Sequence, residues 1–383
     1  MKMSVFMKHL KVFSICMLLL LPATLIAVES QSLVESRKTA ALKDKSLISQ
    51  EPKEESQKTV EPYVPSASNL AARQEFREAG FGIFLHWGIY SMAGRGEWMM
   101  NNDKVNREEY AKLAEGFYPA QFNAREWVRL FKRAGAKYIC FTARHHDGFS
   151  MFATKQTKYN IVDATPFKRD VVRELAAACR KEGLKLHLYY SLVDWYREDY
   201  PMGERTGLDN GKDPAKGDYD HYFEFMKAQL TELLTNYGEI GCIWMDGLWN
   251  QKPDFDWRLP ELYAHIHSLQ PACLIANNHH QTAKEGEDIQ CFERDVPGEN
   301  KSGYITGEME VSRQLPLETC QTMNRTWGYS LTDSNYKSVE EIRALLEAAN
   351  AKGANLLLNI GPMPSGRLPE KAVEILEKLQ SRF

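Results

Sequence analysis

An α/β chain whose parallel strands close into a barrel is predicted by three observations. Short apolar runs alternate with amphipathic stretches, seven such runs are plain with an eighth possible near 318–327, and no glycine-rich phosphate loop opens any of the helical patterns. Such alternation gives a parallel sheet with right-handed crossovers. The number of runs and the lack of a nucleotide loop favour closure over an open, doubly wound sheet.

Taken in order, the chain begins with Lys2, Lys8 and Lys11 ahead of an apolar run at 12–28 that ends in small residues. This is the layout of a secretory signal peptide at 1–27, cleaved after Ala27, with an uncleaved signal anchor as the alternative because the run nears the length that spans a bilayer. The expected location is therefore periplasmic or extracellular. Residues 28–65 are rich in Lys, Glu, Ser and Gln and bury too little apolar surface to fold, so they are expected to be a disordered linker. The remainder, 66–383, is expected to be one barrel domain. Its strands are placed at 81–86, 137–143, 184–190, 240–245, 273–277, 288–292 and 355–360. Helical patterns lie at 124–134, 169–182, 219–237, 257–268 and 339–352. The net charge of −3 leaves no electrostatic footprint for nucleic acid. Six cysteines follow the leader, spread singly through apolar segments, which points to buried free thiols and to no zinc site.

Polar side chains gather where strands end. His86-Trp87 follows the first run, Arg144 to Gly148 (RHHDG) the second, Tyr189-Tyr190-Ser191 the third, Asp246 the fourth, Asn277 to His280 (NNHH) the fifth and Glu293 the sixth. In a barrel these converge on the carboxyl-terminal mouth. Imidazoles, amides and carboxylates fix hydroxyl groups and aromatic faces fit the carbon face of a ring, so the composition suits a sugar. A metal site is the competing reading of clustered histidines. It is disfavoured because His145 and His146 are adjacent on an extended chain, and so expected to point to opposite sides, and because no HxH or HExxH spacing occurs. His187, inside a strand, reads as a core residue.

Hydrolysis of a glycoside needs two carboxyl groups, roughly 5 to 5.5 Å apart in a retaining enzyme. Asp246, ending the IGCIWMD run, and Glu293, ending DIQCFE, are the best pair. Their structural alternatives are a helix-capping Asp246 and a surface Glu293 paired with Arg294.

The motifs FGIFLHWGIYS at 81–91, GEW at 96–98, RHHDGF at 144–149, YYSLVDW at 189–195, WMDG at 244–247 and KGANLLLNIGPMPSG at 352–366 resemble, in order, those of the family 29 glycoside hydrolases, the retaining α-L-fucosidases. The resemblance runs from about residue 74 to the C-terminus. It implies an irregular (β/α)8-type (TIM-like) barrel, Asp246 as nucleophile and Glu293 as acid/base, with no cofactor or metal. It also implies sugar contacts from His86, Glu97, His145, His146, Tyr190 and Trp244, with Phe84 and Trp327 against the C6 methyl group, and a fucosylated oligosaccharide or glycoconjugate as substrate. An Arg that some members carry before the acid/base segment is replaced by Asn278, His279 and His280. No C-terminal β-sandwich is expected. A related α-L-glycosidase, such as one acting on α-L-galactosides, and a catalytically silent fucose-binding protein are the alternative readings.

Overall fold

A computed structural model describes residues 62–380. The expected leader at 1–27 and all of the expected linker before residue 62 lie outside the described residues. The linker's last residues already pack on the folded part: the Tyr63 ring stacks on His267 with centroids 4.6 Å apart.

The strands are β1 (Phe81–Leu85), β2 (Tyr138–Arg144), β3 (Lys185–Ser191), β4 (Cys242–Asp246), β5 (Leu274–Asn278), β6 (Gln290–Glu293), β7 (Leu317–Thr322) and β8 (Ala354–Ile360). Each of the seven expected strands is present with its ends shifted by at most two residues, and the possible eighth is β7. The long helices are α1 (Ala67–Arg77), α2 (Ala124–Arg133), α3 (Val171–Glu182), α4 (Tyr219–Asn236), α5 (Leu259–Leu269), α6 (Val339–Ala351) and α7 (Glu370–Gln380). Side-chain caps set where they start. Asn123, Asp170 and Asp218 accept backbone N–H bonds at the starts of α2, α3 and α4, and Ser338 with Glu341 forms a reciprocal cap on α6. Helix α1 carries no apolar stripe: its buried residues are Asn69, Arg73 and Phe76. It lies at the amino-terminal ends of the strands, where Phe76 meets Tyr138 and His187.

All the strand ladders are parallel, in the order β5-β4-β3-β2-β1-β8-β7-β6. Closure therefore falls between β5 and β6, where a full ladder is absent. One bridge, Ala276 with Ile289, joins the two edges. Asp288 completes the seam. Its backbone N–H donates to Ile275 O at 2.8 Å, and its Oδ2 accepts the Ile275 N–H at 2.8 Å. The fully buried Asp288 carboxylate is held by Arg73 at 2.5 Å and by His267 at 2.9 Å. The connections from β5 to β6 and from β6 to β7 contain no helix, which makes the barrel irregular.

Side chains alternate along each strand. On β3 and β4, Tyr189, Cys242 and Trp244 belong to the barrel interior with Phe84, Tyr138, Cys140, Cys291, Cys320 and Leu357. Leu186, Leu188, Tyr190, Ile243 and Met245 belong to the layer under the helices. The six described cysteines are all free and buried.

Removing the Asp288 carboxylate leaves Arg73 buried without its anion. Asp288→Ala should lower unfolding free energy by about 3–5 kcal/mol in urea titration, whereas Glu75→Ala, on the exposed face of the same helix, should change it by less than about 0.5 kcal/mol.

Candidate active site

The carboxyl-terminal ends of the strands open into a cavity of about 670 Å³. Of the residues proposed from the sequence, Phe84, His86, His145, His146, Trp244, Asp246, Glu293 and Trp327 all line it. Glu97 and Tyr190 do not. Glu97 is buried, and its Oε2 accepts the Gly328 N–H at 2.6 Å, so it holds the backbone that carries Trp327. Tyr190 faces outward from β3: its hydroxyl donates to Gln229 Oε1 at 2.8 Å and the Arg144 guanidinium lies 4.6 Å from its ring centre. With a two-residue period, the inward neighbour Tyr189 takes the place expected of Tyr190.

His145 and His146 also depart from expectation. They do not point to opposite sides, because β2 ends at Arg144 and the chain turns at once, with Gly148 N–H donating to His145 O at 3.0 Å. Both rings reach the cavity with centroids 4.3 Å apart. The buried Asp147 carboxylate secures this turn, accepting from the Tyr110 hydroxyl at 2.9 Å and from Phe149 N–H at 3.2 Å.

Asp246 ends β4 and caps no helix of the long set. The next residue, Gly247, has φ 122°, and a Cβ there would sit 2.6 Å from Val193 Cγ2, so the chain can turn away from the carboxylate only at a glycine. The carboxylate accepts from Tyr189 Oη at 3.1 Å and from Trp249 Nε1 at 3.0 Å, and faces His146 Nε2 at 3.5 Å. Burial acts to raise its pKa. The hydrogen bond and charge of His146, with the Trp249 bond and the charge of His280, outweigh burial and hold it below the usual carboxylate range. The network also fixes a proton on His146. The Ser191 hydroxyl gives its only hydrogen to Val193 O at 2.6 Å, so its contact of 2.7 Å with His146 Nδ1 needs the hydrogen on the ring.

Glu293 ends β6 and is 15 % exposed at its side chain. Oε2 accepts from Asn278 Nδ2 at 2.8 Å and lies 3.6 Å from His280 Nε2. Burial, and then the negative charge of Asp246, push its pKa up to about 7. It is not a surface partner of Arg294, whose guanidinium lies 5.2 Å from the Trp327 ring centre and donates to Arg325 O at 3.0 Å.

His86 is neutral, pushed down to about 3 chiefly by burial. The Asn359 amide gives its N–H to Trp327 O, so its oxygen accepts from His86 Nδ1 at 2.7 Å and leaves Nε2 as an acceptor. Burial, and then the charge of His146, likewise hold His145 far below the usual histidine range. The Trp244 indole is fixed from below by Glu318, which accepts its Nε1–H at 2.8 Å and the Tyr138 hydroxyl at 2.6 Å. Tyr189 and Ser191, read from the sequence only as part of the polar cluster at the mouth, and Glu318, not read as a site residue at all, complete the site. Their signals were a two-residue phase on β3, a hydroxyl beside a histidine in space only, and a carboxylate inside a run read as a possible strand. Among the described residues no group of three or more His, Cys, Asp or Glu is placed to hold a metal ion.

A family model described as alpha-L-fucosidase matches residues 47–381. The plasma alpha-L-fucosidase of Homo sapiens is 29 % identical over 350 residues, covering 83 % of this chain and 69 % of that protein. Among solved structures, alpha-L-fucosidase isoenzyme 1 from Paenibacillus thiaminolyticus is 33 % identical with a TM-score of 0.72, covering 82 % of this chain and 75 % of that one. Alpha-L-fucosidase AlfC from Lactobacillus casei, in complex with alpha-L-fucose product, is 32 % identical with a TM-score of 0.71, covering 82 % and 97 %.

Burial pushes Glu318 up to about 7, as it does Asp147 and Glu293. A carboxyl raised on folding binds more proton in the folded chain than in the unfolded one, so its contribution to stability is full below the ordinary carboxylate range and is lost as pH rises through about 7. Melting temperature followed from pH 5 to 8 should therefore fall less steeply with pH in Glu318→Gln than in the wild type.

Proposed function

The chain belongs to the alpha-L-fucosidase family, and we propose that it removes terminal α-L-fucose from fucosylated glycans by double displacement, with Asp246 as nucleophile and Glu293 as acid and base. It is a glycoside hydrolase on a (β/α)8 barrel. The observation that carries the assignment of roles is that two carboxyl groups on one cavity are tuned in opposite directions. Separated pKa values of this kind mark an acid and a nucleophile.

Asp246, ionised and held by three neighbours, attacks the anomeric carbon while Glu293, protonated below about pH 7, gives its proton to the leaving oxygen. In the second half Glu293 takes a proton from water, and the hydroxide formed releases fucose from Asp246 with net retention. His86 and His145, neutral at working pH, supply acceptors and donors to the sugar hydroxyls, and Trp244, set by Glu318, supplies a flat wall. Phe84 and Trp327, with ring centroids 6.0 Å apart, form an apolar corner for the C6 methyl group. Such a corner contributes about 1–3 kcal/mol against a galactoside that carries a hydroxyl there. The paired carboxyls favour an enzyme over a silent fucose-binding protein, which has no use for two buried acids. We also propose that the protein works outside the cytoplasm, on the strength of the leader pattern at 1–27.

Asp246→Ala should cut kcat/KM by on the order of 10³-fold or more while leaving the melting curve in place, with azide restoring turnover of an activated aryl fucoside. Near-normal turnover in that variant would remove the assignment. Glu293→Ala should cost roughly 10²–10⁴-fold on glycans, where departure needs a proton, and far less on activated aryl fucosides. The pH profile of kcat/KM should fall on the alkaline side through about 7, as Glu293 loses its proton. It should fall on the acid side below the ordinary carboxylate range, as Asp246 gains one.

A further inference from the structure

The cavity is larger than one pyranose ring fills, and part of its wall comes from connections rather than strand ends. In a retaining displacement the attacking carboxylate and the leaving oxygen occupy opposite faces of the anomeric carbon. Whatever carries the fucose must then extend on the Glu293 side, away from Asp246 and from Trp249, which bonds to it. On the Glu293 side stand His280 and Tyr304, the latter on the helix-free connection between β6 and β7. Tyr304 keeps 41 % of its surface in solvent, one of the few large apolar side chains to do so. Its ring sits 5.2 Å from that of His280, tilted by 45°.

The backbone that presents this ring is braced. Asp295, itself buried, accepts from Lys301 N–H at 2.9 Å, Ser302 N–H at 3.1 Å and the Ser302 hydroxyl at 2.6 Å. The Ser302 oxygen in turn accepts from Tyr304 N–H at 3.3 Å. Asn300 bonds both backbone groups of Ile305, at 2.8 and 3.1 Å. A pinned loop thus holds a half-open aromatic face at the mouth of the cavity, next to the group that protonates the leaving oxygen. Such a face matches the C–H side of a pyranose and pre-organises it at little entropic cost.

We propose that Tyr304, backed by His280, forms the subsite for the first sugar of the leaving group, so that the protein selects fucose carried on a hexopyranose with an open C–H face. The proposal rests on the fucosidase reading and adds to it the identity of the neighbouring residue in the substrate. The test compares kcat/KM for a fucosylated disaccharide with that for α-L-fucosyl fluoride, whose leaving group places nothing in the subsite, in wild type, Tyr304→Ala and Tyr304→Phe. In Tyr304→Ala the disaccharide-to-fluoride ratio is expected to fall roughly three- to tenfold, and in Tyr304→Phe to stay within about twofold, since the ring and not the hydroxyl carries the contact. An unchanged ratio in Tyr304→Ala overturns the subsite, and so does an equal fall in both variants. Wild-type protein that hydrolyses the fluoride but no disaccharide overturns the subsite alone. Protein inert toward both overturns the fucosidase reading, and the subsite with it.

Discussion

The barrel closes on one fully buried carboxylate. Asp288 receives Arg73, His267 and the Ile275 N–H. Asp246 stands on β4, paired in register with Asn278 of β5. Glu293 stands on β6, across the seam, and Asn278 reaches over to bond it. The spacing of the two acids is thus set by a short path: one register pair, one amide bridge and the junction that Asp288 holds shut. Elsewhere the ladders are redundant, and losing one bond moves little. At the seam Arg73 couples the helix across the amino-terminal ends to the geometry of the mouth.

Within the mouth, burial treats both acids alike and would raise both. What separates them is their company. Asp246 has an indole donor, a phenol donor and a histidine whose Nδ1 hydrogen is committed to Ser191. Glu293 has one amide donor and the charge of Asp246 itself working against ionisation. In the roles proposed above, the charge of Asp246 helps to keep Glu293 protonated, and a covalent intermediate on Asp246 would remove that charge just when Glu293 must become a base. This is the reversal of duty that double displacement requires.

The barrel was legible because buried parallel strands write themselves as short apolar runs, and because the polar residues that interrupt them sit at one end. That Asp246 and Glu293 face one cavity was legible for the same reason. What stayed hidden depends on contacts between distant segments. Helix α1 buries Asn69 and Arg73 where an apolar stripe would be sought, so nothing in its period marks it as structural. Tyr190 was preferred to Tyr189 because two adjacent tyrosines look alike until the phase of β3 is anchored by its neighbours. The turn after Arg144 cannot be told from continued extension by spacing alone, which is why the two histidines were assigned to opposite sides. The hydrogen bond that ties Glu97 to Gly328, more than two hundred residues away and beside Trp327, has no counterpart in local spacing.

The two helix-free connections flank β6, the strand that carries Glu293. The cavity-lining side chains assigned above to the fucose come mostly from strand ends or the residues just after them, where they pack against the sheet. Tyr304 and His280 belong to segments that no helix ties to the outer ring. Insertions or replacements there leave the register of the sheet untouched. Such a division lets a lineage change what the sugar is attached to many times over while the recognition of the sugar itself stays conserved, so divergence among relatives should concentrate in these two segments.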